Sequence, residues 1–599
     1  MPLRNLFVEA RRRKVLRACA MYIVAAWVAV QVAGMLFPAI NVPDEALLYV
    51  WLIAVFLFPL VVVFGWRYDI SADGITRTPP ARPGEDFDPT LRRFDVALLA
   101  ALAIVAVSVL MQFGTQIESG AVRLGDSISR FSIAVLPFDD LSGDPDEQYF
   151  VSGMQSSLID GLSRVRNLRI TSKVSTLPYR QSGGSLIDIA LQLGVARIIE
   201  GTVLRNGDRV SIALRMHDAE KDQQVWSARF EDDLANIMFI QARAVQEIAN
   251  QVRVQLGPEE REHFASARPV NAEAYNAYLK GVFHVERFTP EDIEIAATHF
   301  ENAVEIDSGF ALGHWGLGKH CLFQAQIGML TPEQARTQCL PPVLKALELD
   351  PFLPEAHFGL ACIRTWHHFD WEDARGHWER AIEINPSYAE AHIFYSHYLG
   401  FIGELEESTQ HAEIAVELDP YNPFTMGLYG VQLVMRNEYE KALDVAAKAL
   451  SMAPGYAFGY RPQLFAHIGL GNEEEVVRVT ADIYRSVREP EIADVLESMY
   501  RNDGFEAAML WDADNLSQQY ESERFPAFDI AISYSLGGDY ESAINWLEVA
   551  ADRLDPNTPY MIAVMRGPDI RKHPRFIALL KKMGLDYWAA NSEARVIPR

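Results

Sequence analysis

Residues able to do chemistry fall in a few places. Gly313-His-Trp-Gly-Leu-Gly318-Lys319-His320 nearly spells the phosphate-binding pattern G-x4-G-K-[ST]. Its last position is His320, so the hydroxyl that would ligate Mg²⁺ is missing. The segment also reads as helix interior, where the motif needs a strand-to-helix turn. Asp139, Asp140, Asp144, Asp146 and Glu147 cluster as metal ligands would. Their spacing is not that of a Ca²⁺ loop, and no histidine converges on them in sequence. They are expected to turn the chain and cap the next helix, whose dipole favours negative charge. No metal, cofactor or nucleotide site is expected.

Nine of the fifteen histidines lie between residues 314 and 411. His314, His357 and His392 recur at one place in successive repeats and are expected to pack between helices in place of an aromatic residue. A pH-sensitive or metal-binding strip is the sharper reading. Cys321 and Cys339 fall on two helices of one hairpin. They either pair in an oxidising compartment or serve as buried small residues. No G-x-S-x-G, HExxH or S-x-x-K stands in a plausible context, so the chain is expected not to be an enzyme. A partner-binding groove is expected from Trp315, Phe323, Phe358, Cys362, Trp366, Ile393, His397 and Phe401, with Val431 beyond them. It is apolar and aromatic with few Lys or Arg. It suits a protein or peptide presenting apolar side chains and not a terminal carboxylate.

The elements that must position these residues repeat. Ala-Leu-Glu-Leu-Asp-Pro351, Ala-Ile-Glu-Ile-Asn-Pro386, Ala-Val-Glu-Leu-Asp-Pro420 and Ala-Leu-Ser-Met-Ala-Pro454 place prolines 35, 34 and 34 residues apart. That period matches the tetratricopeptide repeat (TPR). Ala346, Ala381, Ala415 and Ala449 stand five before each proline, where small residues let two antiparallel helices approach. The proline stops the second helix. Weaker copies flank these, which extends an all-α superhelical solenoid of roughly eight hairpins over 271–560. Residues 561–599 are expected to form a capping helix and tail.

Ahead of the repeats, residues 131–257 read as an α/β domain. Phe131–Phe138, Leu168–Thr171, Ala196–Leu204, Arg209–Asp218 and Val225–Phe230 are strand-like, and Asn206-Gly207-Asp208 makes a hairpin turn. Glu147–Val165, Leu186–Leu193 and Ile240–Leu256 have helical spacing. Residues 114–130 are a linker.

The N-terminal part is a different material. Ala18–Ala39, Ala46–Trp66 and Val96–Phe113 are apolar and long enough to span a bilayer. Basic residues crowd the 1–17 tail and the 67–95 loop, while Asn41–Glu45 has none, so the tail and that loop are cytoplasmic. Three transmembrane helices within 18–113 then put the body outside the inner membrane, in the periplasm. Residues 1–94 hold 11 Lys and Arg against 8 Asp and Glu, whereas the 599-residue chain carries net charge −26. A body that acidic is a poor partner for nucleic acid. Nothing in the sequence excludes a homo-oligomer.

In this order the parts resemble a bacterial family of membrane-anchored proteins joining a TolB N-terminal-like domain to TPRs. The carrying residues are Glu9–Arg17, Leu36–Ala39, Phe131–Gly153, Gly194–Gly201, Val225–Phe230 and His573-Pro-Arg-Phe576. Relatives often carry a winged-helix or class III cyclase module before the membrane. Only about 17 residues precede the first span here, so neither activity is carried over. The resemblance implies a binding and signalling architecture: an envelope adaptor or scaffold. The alternative is a transmembrane sensor with a small ligand inside the α/β domain.

Overall fold

The computed structural model describes residues 129–592 apart from 145–146, 182–184, 266–267, 288, 521–525 and 566. Before residue 129 it describes only 22, 26, 57, 61, 68–71 and 74–77. The three expected spans lie outside the described residues. Among the described residues no helix is long and apolar enough to cross a membrane. Residues 1–123 and 124–599 are separate units. In the first, β1 (Tyr68–Ser71) and β2 (Gly74–Arg77) form an antiparallel pair.

The second unit opens with a mixed sheet. Its strands are β3 (Ser132–Val135), β4 (Asp139–Asp140), β5 (Arg169–Ile170), β6 (Arg197–Asn206), β7 (Arg209–Asp218) and β8 (Gln223–Asp233). The order is β5-β3-β6-β7-β8, with β4 beside β6. Strands β3 and β5 are parallel, as are β3 and β6; β6, β7 and β8 run antiparallel. Alternation decides which side chains go inside: Val210, Ile212, Leu214 and Met216 of β7 all enter one core. Central β3 is buried on both faces. Ile133 and Val135 face helices α1 (Gln148–Ser163) and, further on, Ile237–Gln251, while Ala134 and Leu136 face Leu186–Leu193. Gly207, at φ +61°, takes the left-handed position of the β6–β7 turn.

Eight antiparallel helix hairpins follow. They pair Ala272–Val285 with Pro290–Ile306, Ala311–Gln326 with Leu340–Leu349, Pro354–Cys362 with Trp371–Ile384, and Ala389–Ile402 with Leu405–Leu418. Then come Pro423–Met435 with Tyr439–Met452, Ala457–Leu470 with Glu473–Ser486, Pro490–Asp503 with Phe505–Gln519, and Ala527–Leu536 with Tyr540–Asp552. Ala346, Ala381, Ala415 and Ala449 are fully buried where the helices cross. Each second helix ends two residues before its proline, at Leu349, Ile384, Leu418 and Met452. This is the TPR-type solenoid.

One expectation is corrected and one is extended. The acids at 139–147 turn the chain, as Asp140 Oδ1 accepts from Ser142 N–H at 2.8 Å, but the first turn of α1 holds no acid. Glu147 instead pairs with Arg205 at 3.2 Å. The C-terminal segment packs on the last hairpin, where Arg575 of Pro574–Lys582 pairs with Glu548 at 2.6 Å and Glu541 at 3.1 Å. It also reaches the middle hairpins, as Trp588 Nε1–H donates to Gly400 O at 3.1 Å and Trp371 Nε1–H to Met583 O at 2.6 Å.

Candidate functional site

The inter-repeat turns hold the α/β domain. Successive turns at 350–353, 385–388 and 419–422 meet the segment 164–176. Arg164 reaches Glu355 at 3.7 Å and Phe352 O at 3.3 Å. Ile170 N–H donates to Ser387 Oγ at 3.2 Å, and Ser387 O–H to Leu168 O at 3.1 Å. Ser172 N–H donates to Leu418 O at 2.9 Å. Buried Asp419 accepts from Ser172 O–H, from Ser175 O–H at 2.7 Å and from Asn422 Nδ2–H at 2.7 Å. The Asp/Asn-Pro step that ends each second helix is therefore also the docking edge.

Between this roof and the first helices of the repeats lies a chamber of about 2290 Å³. Trp315, Phe323, Phe358, Cys362, Trp366 and Val431 line it. Ile393, His397 and Phe401 do not: all three are 0% exposed. Ile393 packs on Ala412, Ala415 and Leu428. His397 donates Nε2–H to Leu428 O at 2.8 Å and accepts at Nδ1 from Tyr560 O–H at 2.9 Å. Phe401 meets the Tyr560 ring at 5.0 Å. Those three positions are interior packing, because the chain returning through residue 560 covers them.

The structure adds lining residues that the sequence did not single out: Asp160 on α1, Lys319, Tyr388, Glu390, Phe394, Tyr456 and His367. Asp160 and Glu390 line the chamber and are exposed to it. Burial first, then the charge of Glu355, raises the Asp160 carboxyl to about 7. Burial likewise raises Glu390, against the lowering effect of Lys319. Local spacing could not bring these together, since their helices lie far apart in sequence. The turn Ile363–His368 is π-helical, a form frequent at functional sites, and places Trp366 and His367 on the wall.

The near phosphate loop is helix interior, within Ala311–Gln326. A Cβ on Gly318 would lie 2.6 Å from Val343 Cγ2, so that glycine serves helix packing. The recurring histidines make paired contacts. His314, His357 and His392 each donate Nε2–H to the carbonyl six residues back, at 3.0, 3.0 and 3.1 Å. That leaves Nδ1 of His357 and His392 as acceptors for Nδ1–H of His377 and His411, at 2.9 and 2.7 Å. Burial lowers His392 to about 3 and His411 to about 4, so that pair is neutral near pH 7, and it lowers His357 and His377 as well. Among the described residues no cluster suited to a metal is present. Cys321 and Cys339 are joined as a disulfide. Inside the α/β domain, a void of about 10 Å³ beside Leu186, Ile198 and His217 has room for no more than a water.

No family model matches the chain. It is 31% identical over 237 residues to a protein of Rhizobium meliloti (strain 1021) named putative adenylate cyclase 3, which covers 39% of this chain and 40% of that one. The chain thus spans less than half the length of this curated relative. The match overturns the expectation that the chain is not an enzyme, since the relative is named for a catalytic activity. Similar solved structures include a thermophilic TPR protein of Thermus thermophilus, with 17% identity, TM-score 0.27, and coverage of 33% of this chain and 98% of that one. They also include the human IFIT1 dimer with m7Gppp-AAAA, at 12% identity, TM-score 0.35, and coverage of 52% and 76%. The repeat assignment rests on the chain's own hairpins. None of these matches shows a TolB-like domain.

Proposed function

We propose that this chain is an interaction scaffold of the bacterial envelope, anchored in the inner membrane, whose repeat solenoid holds a segment of a protein or peptide partner. The observation that supports it is the roofed chamber, whose wall is built from aromatic residues of the first helices, Trp315, Phe358 and Phe394 among them. Such a wall gains affinity by burying a partner's apolar side chains. Three charge-free or nearly charge-free apolar stretches before residue 114 supply the anchor, and the Lys and Arg around them orient the body outward. The Cys321–Cys339 bond fits an oxidising compartment. The α/β domain, read as TolB-like, is the roof.

A photo-reactive p-benzoylphenylalanine at Phe323, in cells, tests this. Adducts to envelope proteins, lost when excess soluble partner segment is supplied, are the expected result. Adducts confined to cytoplasmic proteins would contradict the compartment, and no adduct would contradict the site. Phe358→Ala and Trp366→Ala are unsuitable probes, because both side chains are core: each truncation costs about 3–5 kcal/mol of stability.

A further inference from the structure

The chamber's charges are unevenly satisfied. Carboxylates outnumber lysines and arginines ten to six among its lining residues. Several are paired: Glu355 with Arg164 at 3.7 Å, Glu286 with Lys173 at 2.7 Å, and Asp529 with Arg461 at 3.4 Å. Asp419 is held by hydroxyl and amide donors. Asp160 and Glu390 have neither a hydrogen bond nor an ion pair among the described residues, and one of them comes from the roof, the other from the solenoid. Lys319, also without a hydrogen bond, acts electrostatically on both. Two carboxylates thus share one ammonium on the chamber's surface, a place that complements a partner's cation.

His367, 7% exposed, also stands on the chamber wall. Tyr388, Phe394 and Tyr456 supply apolar surface on the same wall.

We propose that the chamber selects an extended partner segment carrying a lysine or arginine beside apolar side chains, its cation drawn by the unpaired carboxylates of Asp160 and Glu390. This rests on the reading of the chamber as a peptide site and adds the chemistry of the peptide. The α/β roof is then half of the recognition site. A bound cation favours ionised Asp160 and so lowers its raised pKa, releasing protons near neutral pH.

The test is selection of a random nonapeptide display library on the full chain in detergent micelles. The winning peptide is then titrated calorimetrically against the unmodified chain, Asp160→Asn and Glu390→Gln. Winners with Lys or Arg flanked by Leu or aromatic residues are expected, and each variant should weaken binding by tenfold or more. Both variants should keep the parent's helical circular dichroism. Acidic or uncharged winners, or basic winners indifferent to both variants, would overturn the charge selection and leave the peptide reading standing. No enrichment of any sequence would overturn both.

Discussion

The interior of the α/β domain and the chamber beneath it are built from similar residues and solved differently. Inside the domain, Phe150, Leu162, Val165 and Ile199 are fully buried, and a void beside Leu186, Ile198 and His217 holds about 10 Å³. Buried Gln155 is met there, as its Nε2–H donates to Val135 O at 3.0 Å and to Thr176 Oγ1 at 3.1 Å. In the chamber the same kind of apolar wall surrounds about 2290 Å³, and Asp160 and Glu390 face it without partners among the described residues. The first arrangement is what stability selects. The second is disadvantageous for stability alone, and such places mark function.

The largest break in this comparison should come from the filled side. Phe150→Ala, at 0% exposure, should cost about 3–5 kcal/mol by the transfer and cavity terms together. Phe394→Ala, half-buried on the chamber wall, should cost clearly less while weakening peptide binding more. Chemical denaturation of both variants checks the pair, and equal losses would erase the distinction. Next in size is the docking edge. Asp419→Ala removes the acceptor of Ser172, Ser175 and Asn422, worth about 2 kcal/mol on the scale of hydrogen bonds to charged groups. It should speed amide exchange in residues 168–176 without melting the repeats.

The histidine pairs give a pH dependence of definite sign. Their folded pKa values lie below the unfolded value near 6.5, so the folded state takes up protons less readily than the unfolded one. Stability is therefore complete above about pH 6.5 and falls as pH drops toward 4 and then 3. Thermal melts from pH 7 to pH 4 should show falling Tm, with a shallower slope in His392→Gln with His411→Gln. Asp160 titrates with the opposite sign. Its raised folded value means ionisation disfavours the fold progressively from about pH 4 to about pH 7. Asp160→Asn should thus raise Tm by roughly a few degrees at pH 8, with the difference vanishing near pH 4. A stabilised variant that has lost its peptide would sharpen the comparison most.

Much of the framework was legible because periodicity carries it. The 34-residue spacing of proline and alanine located the hairpins, and alternation with Asn206-Gly207-Asp208 located β6 and β7. The groove was legible only in part. A first helix of a repeat is apolar on the face toward its own hairpin and on the face toward the chamber, and one position of register turns a side chain by 100°. Ile393 fell on the wrong side for that reason. His397 and Phe401 went inside because residue 560 returns across them, a long-range contact that no local pattern announces. Asp160 and Glu390 were missed because a lone carboxylate on an amphipathic helix looks like any solvated charge until the two helices are placed together. The histidine recurrence was visible, but not the second member of each pair, His377 and His411, which stands on the neighbouring helix.

The central claim is that the roofed chamber is the partner site, shared by the α/β domain and the solenoid. Hydrogen exchange read by mass spectrometry, with and without a saturating display-selected nonapeptide, tests it most directly. The account predicts new protection in Gln148–Ser163, Pro354–Cys362 and the start of Ala389–Ile402, with Trp371–Ile384 and Leu405–Leu418 unchanged. Protection confined to those second helices, with none in Gln148–Ser163, would contradict it.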